Sequence, residues 1–328
     1  MRATFAFALT CAMALAGCSS GTTTAVSTRS LPKSERSQIK VPDAVYASMG
    51  EKRIDRGAPI LIRIFKKESE LEVWKQASDG KYALLKTYPI CRWSGQLGPK
   101  RANGDRQAPE GFYPVAAGQM NPNSAYFLSF DLGYPNVVDR ANGATGSALM
   151  VHGACTSAGC FAMTDEGVAE IFALAREAFA GGQKAFQVQS LPFRMTPRNM
   201  ALYRADPNFE FWKDLKRGSD YFEATGREPL VFAQGKRYVF FAAEPSLEGV
   251  AEAHRAKEDV KFAEALAKGV RPIKTVYGDG GMHPAFAGAR GNQPGFALIS
   301  RPEAITFAGR DVELAPGAAG VAGYASLR

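Results

Sequence analysis

The chain has 328 residues, of which 46% are hydrophobic, so it is long and apolar enough to bury a sizeable core in one large domain or two ordinary ones. Its 40 basic and 32 acidic residues give a formal net charge of +8, but the basic residues are scattered and form no stripe interleaved with aromatics. We therefore expect a globular protein with a solvated basic surface and no nucleic-acid partner.

Residues 1–18 predict export. Arg2 precedes an apolar run that is shorter than the roughly 20 residues needed to cross a bilayer. Leu15-Ala16-Gly17-Cys18 resembles the bacterial lipobox, and this resemblance implies cleavage before Cys18 and attachment of lipid to its thiol. Plain secretion and a permanent transmembrane anchor are the alternatives. We expect a periplasmic protein that is held by its lipid at a membrane, with the outer membrane as the preferred location.

Residues 19–40 are polar and rich in Ser and Thr, which predicts a disordered tether. From Pro59 onward the chain alternates like antiparallel strands and then shows further strand and hairpin patterns. The predicted strands are "PILIRIF", "ELEVWKQ", "KYALLKTYPICRW", "AYFLSF", "SALMV" and "KAFQVQSLPF", followed by the hairpin "EPLVFAQGKRYVFF". We assign residues 41–245 to the main domain and residues 246–328 to an extension with one polar helix and a Gly-, Pro- and Ala-rich tail.

Helix starts and long loops complete this outline. Thr164 is a predicted N-cap, and Thr196-Pro197 and Asp206-Pro207 each look like an N-cap followed by proline. Two long loops, "GPKRANGDRQAPEGFYPV" and "GQMNPNSAYFLSFDLGYPNVVDRANGATG", are heavy in Gly, Pro, Asn and Asp. Ordered loops of this length are usually functional, so we place the substrate groove here, with a solvent-exposed insertion as the alternative.

The segment "HGACTSAGC", residues 152–160, holds one of the three histidines and two of the five cysteines. A structural zinc site needs four ligands, usually in paired spacings, and the sequence has no partner pair, so we predict no metal. A disulfide stays open, because an exported chain meets an oxidising compartment. Cys91 can pair with Cys155 and leave Cys160 free, or Cys155 can pair with Cys160.

The third chemistry is a thiol activated by an imidazole, with Cys160 as the candidate nucleophile and His152 as its base. The N–H groups around Gly159 and Cys160 can form an oxyanion hole at the start of the helix that follows. A helix start there would favour the thiolate, so we expect Cys160 to alkylate faster than Cys91 and Cys155. A core histidine near a buried cysteine is the alternative reading of the same pattern.

"ALMVHGACTSAGCFAM" resembles the active-site segment of the L,D-transpeptidase (YkuD-type) catalytic domain, in its YafK-like branch. "RIFKKESELEVWKQ", "NPNSAYFLSFDLGYPN" and "GGQKAFQVQSLPFRMT" extend the similarity over roughly residues 55–243. The resemblance implies a mixed α+β, predominantly β fold and a cysteine enzyme, without a cofactor, that acts on peptidoglycan stem peptides. Cys160 would attack the carbonyl between an L-centre and a terminal D-residue, and an amine or water would resolve the thioester.

One departure bears on the activity. The common family turn reads S/T-H-G-C, whereas Ser157-Ala158-Gly159-Cys160 lacks the second histidine. Some members of this branch are thought to hydrolyse the bond between an outer-membrane lipoprotein and the wall. A hydrolase or amidase that releases wall-linked lipoprotein is therefore the first alternative, and a non-catalytic peptidoglycan-binding lipoprotein is the second.

Four further side chains are candidates for the site. Ser157 can hydrogen-bond near the thiolate or shape the turn. Arg106 and Arg140 lie in the two long loops and can pair with a substrate carboxylate, or they can be ordinary surface arginines. Tyr134 can line the groove or pack in the core.

Overall fold

This computed structural model describes residues 31–286 and 309–314, and its strands form two five-stranded sheets and two two-stranded sheets. The strands are β1 Ile60–Phe65, β2 Glu70–Gln76, β3 Tyr82–Pro89, β4 Arg92–Trp93, β5 Gly111–Ala116, β6 Met120–Asn121, β7 Ser129–Asp131, β8 Met150–His152, β9 Phe161–Ala162, β10 Ala185–Leu191, β11 Leu230–Gln234, β12 Arg237–Phe241, β13 Ile273–Val276 and β14 Arg310–Glu313. The α-helices are α1 Lys33–Arg36, α2 Asp43–Glu51, α3 Val137–Ala141, α4 Asp165–Ala180, α5 Pro197–Leu202, α6 Phe209–Thr225 and α7 Glu248–Ala267.

The first sheet has the strand order β3-β2-β1-β10-β5, in which only β1 and β10 pair in parallel. β1 is buried along its whole length, which explains its nearly continuous apolar sequence "ILIRIF". Its one charged residue, Arg63, donates to Ser219 Oγ at 2.9 Å and forms an ion pair with Glu223. The buried charge is therefore paired, as a buried charge has to be.

The second sheet, with the order β4-β9-β8-β7-β6, positions the candidate site. β8 pairs antiparallel with β7 and parallel with β9. α4 contacts β1 of the first sheet and β7 and β8 of the second, so it packs between the two sheets. As predicted, Thr164 caps α4, and its side chain accepts a hydrogen bond from the N–H of Gly167 at 3.0 Å.

The predicted mixed α+β class is confirmed, and in the described residues the strands outnumber the helices, although three of the helices are long. The first three strands, β10 and the β11–β12 hairpin lie where the sequence predicts them. "AYFLSF" forms a strand only from Ser129, because Phe127 has a φ of +74° that interrupts the extended backbone. The predicted N-cap Asp206 is wrong, since Asn208 precedes α6 and Asp206 Oδ1 accepts its N–H at 2.8 Å.

Both ends of the described chain pack on the main domain. The predicted signal peptide, Cys18 and the first part of the tether lie outside the described residues. In residues 31–40, α1 is followed by Ser37 and Ile39, whose carbonyl oxygens accept hydrogen bonds from Arg176 of α4. At the other end α7 contacts α5 and α6, and β13 pairs antiparallel with β14, a pairing that no sequence pattern predicted. Among the described residues, none of the helices combines the length and apolar character that crossing a bilayer requires.

Candidate functional site

The turn between β8 and β9 carries the histidine and the cysteines of residues 152–160. Ala154 and Cys155 have positive φ angles of 65° and 51°, which turn the chain sharply after His152. Cys160 lies immediately before β9, and α4 begins five residues later at Asp165. The prediction that Cys160 sits at a helix start is therefore wrong, because the two-residue strand β9 separates them.

The structure pairs Cys91 with Cys155 and leaves Cys160 as a free thiol. This is the first of the two pairings that the sequence left open. Cys91 precedes β4, and its N–H donates to the carbonyl oxygen of Ala162 in β9 at 3.0 Å. The disulfide thus ties the β8–β9 turn to the strand on the far side of β9.

His152 is the last residue of β8, and only 3% of its surface is exposed. Its Nδ1 lies 2.6 Å from the carbonyl oxygen of Gly153. Because a carbonyl oxygen can only accept, we assign the proton to Nδ1 and the lone pair of the neutral ring to Nε2. Burial lowers the pKa of His152, while the Gly153 carbonyl and the Asp165 carboxylate act in the opposite direction. Half-exposed Tyr126 covers the imidazole, with 4.7 Å between ring centroids.

Cys160 lies just before β9, the strand that pairs with β8, and His152 ends β8. His152 pairs with Ala162 in the parallel β8–β9 register, so Cys160 precedes that partner by two residues. A strand spacing of about 4.8 Å and a rise of about 3.3 Å per residue place the two Cα atoms about 8 Å apart. In this structure Sγ accepts the N–H of Met150 at 3.4 Å and lies 3.7 Å from the carbonyl oxygen of Ala148. The thiol therefore contacts the β8 backbone and not the imidazole.

The thiol of Cys160 is protonated at neutral pH. Burial raises its pKa, the hydrogen bond from the Met150 N–H acts against this, and the smaller effects of Asp131 and Lys100 raise and lower it respectively. The expected thiolate is therefore not the resting form, and its cause, a neighbouring helix start, is absent. Because the pKa of His152 is also lowered, the resting pair is a neutral thiol and a neutral imidazole.

Ser157 and Gly159 shape the turn. The Ser157 hydroxyl donates to the carbonyl oxygen of Cys160 at 2.7 Å, accepts the N–H of Gly159 at 3.3 Å and lies 3.0 Å from Ser94 Oγ. Of its two predicted roles, the structure therefore gives Ser157 the one in the turn. Gly159 has a φ of +133°, where a side chain is strained, and a Cβ there would lie 3.1 Å from Leu149 Cδ1. Its N–H is engaged with Ser157, so its role in an oxyanion hole stays a prediction.

A groove of about 700 Å³ is lined by Ala148 and Met150, whose backbone atoms contact Sγ, although neither Cys160 nor His152 is among its lining residues. Apart from Ser147, the rest of its wall comes from the second long loop of the sequence. The first long loop contributes no lining residue, and the use of this groove for substrate stays a prediction. Tyr134 and Arg140 both line it. The Tyr134 hydroxyl is buried and donates to the carbonyl oxygen of Lys100 at 3.2 Å, whereas Arg140 is exposed and donates to that of Pro135.

Two groove residues escaped the sequence analysis. Ser129 pairs with His152 across β7 and β8, and its buried Oγ has no hydrogen-bond partner among the described residues. Asp131 pairs with Met150 and lines the same wall. The alternation of Ser129 and Asp131 around buried Phe130 was the available signal, since alternate residues of a strand share a face.

Arg106 reaches the turn from the first long loop. Its Nη2 donates to the carbonyl oxygen of Ser157 at 3.3 Å and forms an ion pair with Asp279 at 2.7 Å. The guanidinium is thus engaged within the protein, and its proposed contact with a substrate carboxylate stays a prediction. Asp279 was missed because it follows Arg106 by 173 residues, in a tail without sequence periodicity.

One group of metal-ligand type lies away from this site. Ligand atoms of Asp220, His254 and Glu258 lie within 4.8 Å of one another. Lys216 Nζ lies 2.6 Å from Asp220 Oδ1 and 3.4 Å from Glu258 Oε2. A single ammonium group therefore already pairs with both carboxylates, and we propose no metal here.

Comparison with known proteins supports the resemblance. No family model matches the sequence. The Escherichia coli protein named "Putative L,D-transpeptidase YafK" is 45% identical over 183 residues, which are 56% of this chain and 74% of that protein, in strain K12 and equally in O157:H7.

Two solved structures are similar at lower identity. The helical cell shape determining protein Pgp2 of Campylobacter jejuni is 19% identical with a TM-score of 0.34, over 71% of this chain and 80% of that one. Bd1075 of Bdellovibrio bacteriovorus is 14% identical with a TM-score of 0.30, over 54% of this chain and 77% of that one. On the identity to the Escherichia coli relative, the chain belongs to the YafK family of L,D-transpeptidase-like proteins.

Proposed function

We propose that this protein is a cysteine acyltransferase of the cell wall that acts on peptidoglycan stem peptides, with Cys160 as nucleophile and His152 as base. The observation that carries the proposal is the pairing of β8 and β9, which places the free thiol just before β9 beside the strand that ends in an imidazole with its lone pair on Nε2. The similarity to a relative whose name specifies an L,D-transpeptidase supports the reaction class.

The reaction begins when Sγ of Cys160 attacks the carbonyl carbon of the scissile amide and Nε2 of His152 accepts the thiol proton. The tetrahedral intermediate then collapses, His152 donates this proton to the leaving amine, and a thioester remains on Cys160. An amine or water attacks the thioester, His152 accepts its proton, and the thiol is restored. The Gly153 carbonyl, which already accepts the Nδ1 proton, stabilises the imidazolium formed in both halves of the reaction.

Because the resting pair is neutral, we favour a mechanism in which the proton moves during the attack rather than one that starts from a preformed thiolate. Cys160 has to leave its contacts with Met150 and Ala148 and turn toward His152 before this transfer. Catalytic hydrogen bonds often become short only when substrate is bound. Substrate in the groove would displace the thiol from the backbone, because Ala148 and Met150 line that groove.

The groove suits an extended peptide with a free carboxylate. Arg140 lies at its wall and uses one of its five N–H donors on Pro135, so donors remain for a bidentate contact with a terminal carboxylate. We propose Arg140 as the carboxylate-binding residue. Tyr134 would contribute the adjacent wall rather than a hydrogen bond, since its hydroxyl is already engaged with Lys100.

The test is to incubate the protein with muropeptides and with lipoprotein-linked wall and to identify products by mass spectrometry. Wild type is expected to change the substrate, and Cys160→Ala and His152→Ala are expected to abolish every product. His254→Ala is the matched control, since this histidine lies on α7 away from the turn, and it should keep wild-type activity. Unchanged products in Cys160→Ala would overturn the proposal.

The products also separate the alternatives. New crosslinks or new lipoprotein attachment identify a transpeptidase, whereas released stem peptide or released lipoprotein identifies a hydrolase or amidase. A protein that binds the wall equally well with and without Cys160, and changes neither substrate, is the non-catalytic binder. The free Cys160 thiol favours an enzyme, because a Cys155–Cys160 disulfide would have removed the nucleophile.

We also propose that the protein is exported and lipid-anchored through Cys18. The signal-like sequence of residues 1–18 supports this, and so does the Cys91–Cys155 disulfide, since disulfides persist in oxidising compartments. Labelling cells with palmitate should mark the wild-type protein and not Cys18→Ala. Absence of label from the wild type would contradict lipid anchoring and leave the catalytic proposal untouched.

A further inference from the structure

A segment of the C-terminal extension, residues 277–283, is hydrogen-bonded to the edge of the sheet that carries the site. The N–H of Trp93 in β4 donates to the carbonyl oxygen of Gly281 at 3.0 Å, and the N–H of Gly281 donates back to that of Trp93 at 3.1 Å. A third bond runs from the N–H of His283 to the carbonyl oxygen of Ile90 at 3.0 Å. The first two bonds form the reciprocal pair of an antiparallel contact, and the third extends the contact to the residue before Cys91.

The close approach requires two of the three glycines of this segment, Gly280 and Gly281. A Cβ on Gly280, which has a φ of +78°, would overlap the carbonyl oxygen of Trp93. A Cβ on Gly281 would lie 2.6 Å from Nε1 of the same tryptophan. The segment therefore packs against the β4 edge because it has no side chain at these two positions.

This contact delivers the carboxylate of Asp279 to two arginines. Oδ2 lies 2.7 Å from Arg106 Nη2 and 3.5 Å from Arg92 Nη2, and Oδ1 accepts the N–H of Gly95 at 3.3 Å. Asp279 is only 9% exposed. Removing its charge would leave two close, poorly hydrated guanidinium groups without this shared counter-ion.

Arg106 connects the carboxylate to the nucleophile. The Nη2 atom that meets Asp279 also donates to the carbonyl oxygen of Ser157, and the Ser157 hydroxyl donates to the carbonyl oxygen of Cys160. Arg106 has a φ of +57°, a conformation that a non-glycine residue keeps only when its surroundings hold it. Its carbonyl oxygen accepts a hydrogen bond from Ser94 Oγ at 2.7 Å, which is a second tie to the same network.

We propose that Asp279 is a positioning residue for the Cys160 turn, acting through Arg106 and Ser157. The C-terminal extension then helps to position the nucleophile of the active site. This inference rests on the proposed role of Cys160 as nucleophile. Asp279 contacts neither the thiol nor the groove, so its effect is on the placement of Cys160 and not on the chemistry of the thiol.

The test compares Asp279→Asn with Asp311→Asn in the full-length protein. Asp311 is the matched control because it anchors the same extension at a different place. Its carboxylate forms an ion pair with Lys67 Nζ at 3.0 Å and accepts a hydrogen bond from Thr275 Oγ1 at 2.6 Å. Backbone hydrogen exchange of residues 156–162 is measured by mass spectrometry, together with kcat and KM for wall peptide and the circular dichroism spectrum.

In Asp279→Asn, exchange in residues 156–162 should rise about tenfold or more and kcat should fall about 10- to 100-fold, with KM within about threefold, since small misplacements of reacting groups have effects of this size. Asp279→Glu should recover most of the lost kcat, and Asp311→Asn should match wild type in both readouts. The proposal is overturned if Asp279→Asn leaves exchange and kcat unchanged, or if Asp311→Asn has the same effect. If Asp279→Asn does not fold, the double variant Arg106→Gln/Asp279→Asn replaces it and carries the same expectation.

Hydrogen exchange separates this proposal from the proposed function. Turn exchange that rises in Asp279→Asn, combined with activity that survives in Cys160→Ala, would reject Cys160 as nucleophile and retain the link from Asp279 to the turn. Loss of activity in Cys160→Ala with unchanged turn exchange in Asp279→Asn would do the reverse.

Discussion

Removal of the Cys91–Cys155 disulfide should strongly destabilise the fold. In the double variant Cys91→Ala/Cys155→Ala, the unfolded chain gains the freedom that the cross-link between residues 64 positions apart had removed. For a loop of this length the chain-entropy relation gives a loss of about 4 kcal/mol in the free energy of unfolding at 25 °C. Both cysteines are buried, with 1% and 6% exposure, so the missing sulfur atoms add a packing loss of the same sign.

Equilibrium urea unfolding of the wild type and the double variant, followed by circular dichroism, measures this loss. Cys160→Ala is the matched control, since it removes a free thiol from the same turn and should change the free energy of unfolding by less than about 1 kcal/mol. The reasoning is refuted if the double variant loses less than about 1 kcal/mol or behaves like the control. Peptide mapping without reductant should meanwhile find Cys91 and Cys155 linked and Cys160 free to react.

Four further predictions follow from the site. The alkylation rate of Cys160 should rise with pH, with a midpoint above the ordinary thiol pKa. Asp131→Asn should lower that midpoint, because the Asp131 charge raises the pKa of Cys160, and an unchanged midpoint would contradict this. His152 must be neutral to act as base, and burial lowers its pKa, so the acid limb of the kcat/KM profile should have its midpoint below pH 6.5. A midpoint at or above pH 6.5 would argue against this base. Ser157→Ala should lower the free energy of unfolding in urea by about 1–3 kcal/mol and lower kcat, because the Cys160 carbonyl oxygen and the Gly159 N–H lose their hydrogen-bond partner. Wild-type values of both quantities would show that the hydroxyl does not hold the turn. Gly159→Ala should lower the free energy of unfolding by about 1–3 kcal/mol through backbone strain, and a thermal or urea unfolding curve identical to wild type would rule this out.

The sequence predicts the elements that local patterns determine. β1, β2 and β3 follow from alternation and turn residues, and α4 follows from its cap at Thr164 and its apolar face. His152 and Cys160 stand out because few histidines and cysteines occur in the chain. The strand predicted at "SALMV" agrees with β8, which ends at His152, but the strand β9 after Cys160 was not predicted.

Features that depend on distant pairing were not predictable in this way. β9 has two residues, too few for any periodicity. The sequence therefore predicts a turn that runs directly into α4, with Cys160 at a helix start that the structure does not have there. The choice between two disulfides required knowing that β4 and β9 are neighbours. Asp279 reaches the site only because its segment adds to the β4 edge, and a Gly-rich tail gives no sign of that.

The most direct test of the central claim is to trap the thioester. The protein is mixed with a stem peptide, quenched in acid after a short time, and examined by intact-mass and peptide mass spectrometry. The account predicts a mass increase equal to the acyl fragment on the peptide that contains Cys160, sensitive to hydroxylamine and absent from Cys160→Ala. An acyl fragment on another residue, or substrate consumed at the wild-type rate by Cys160→Ala, would contradict it.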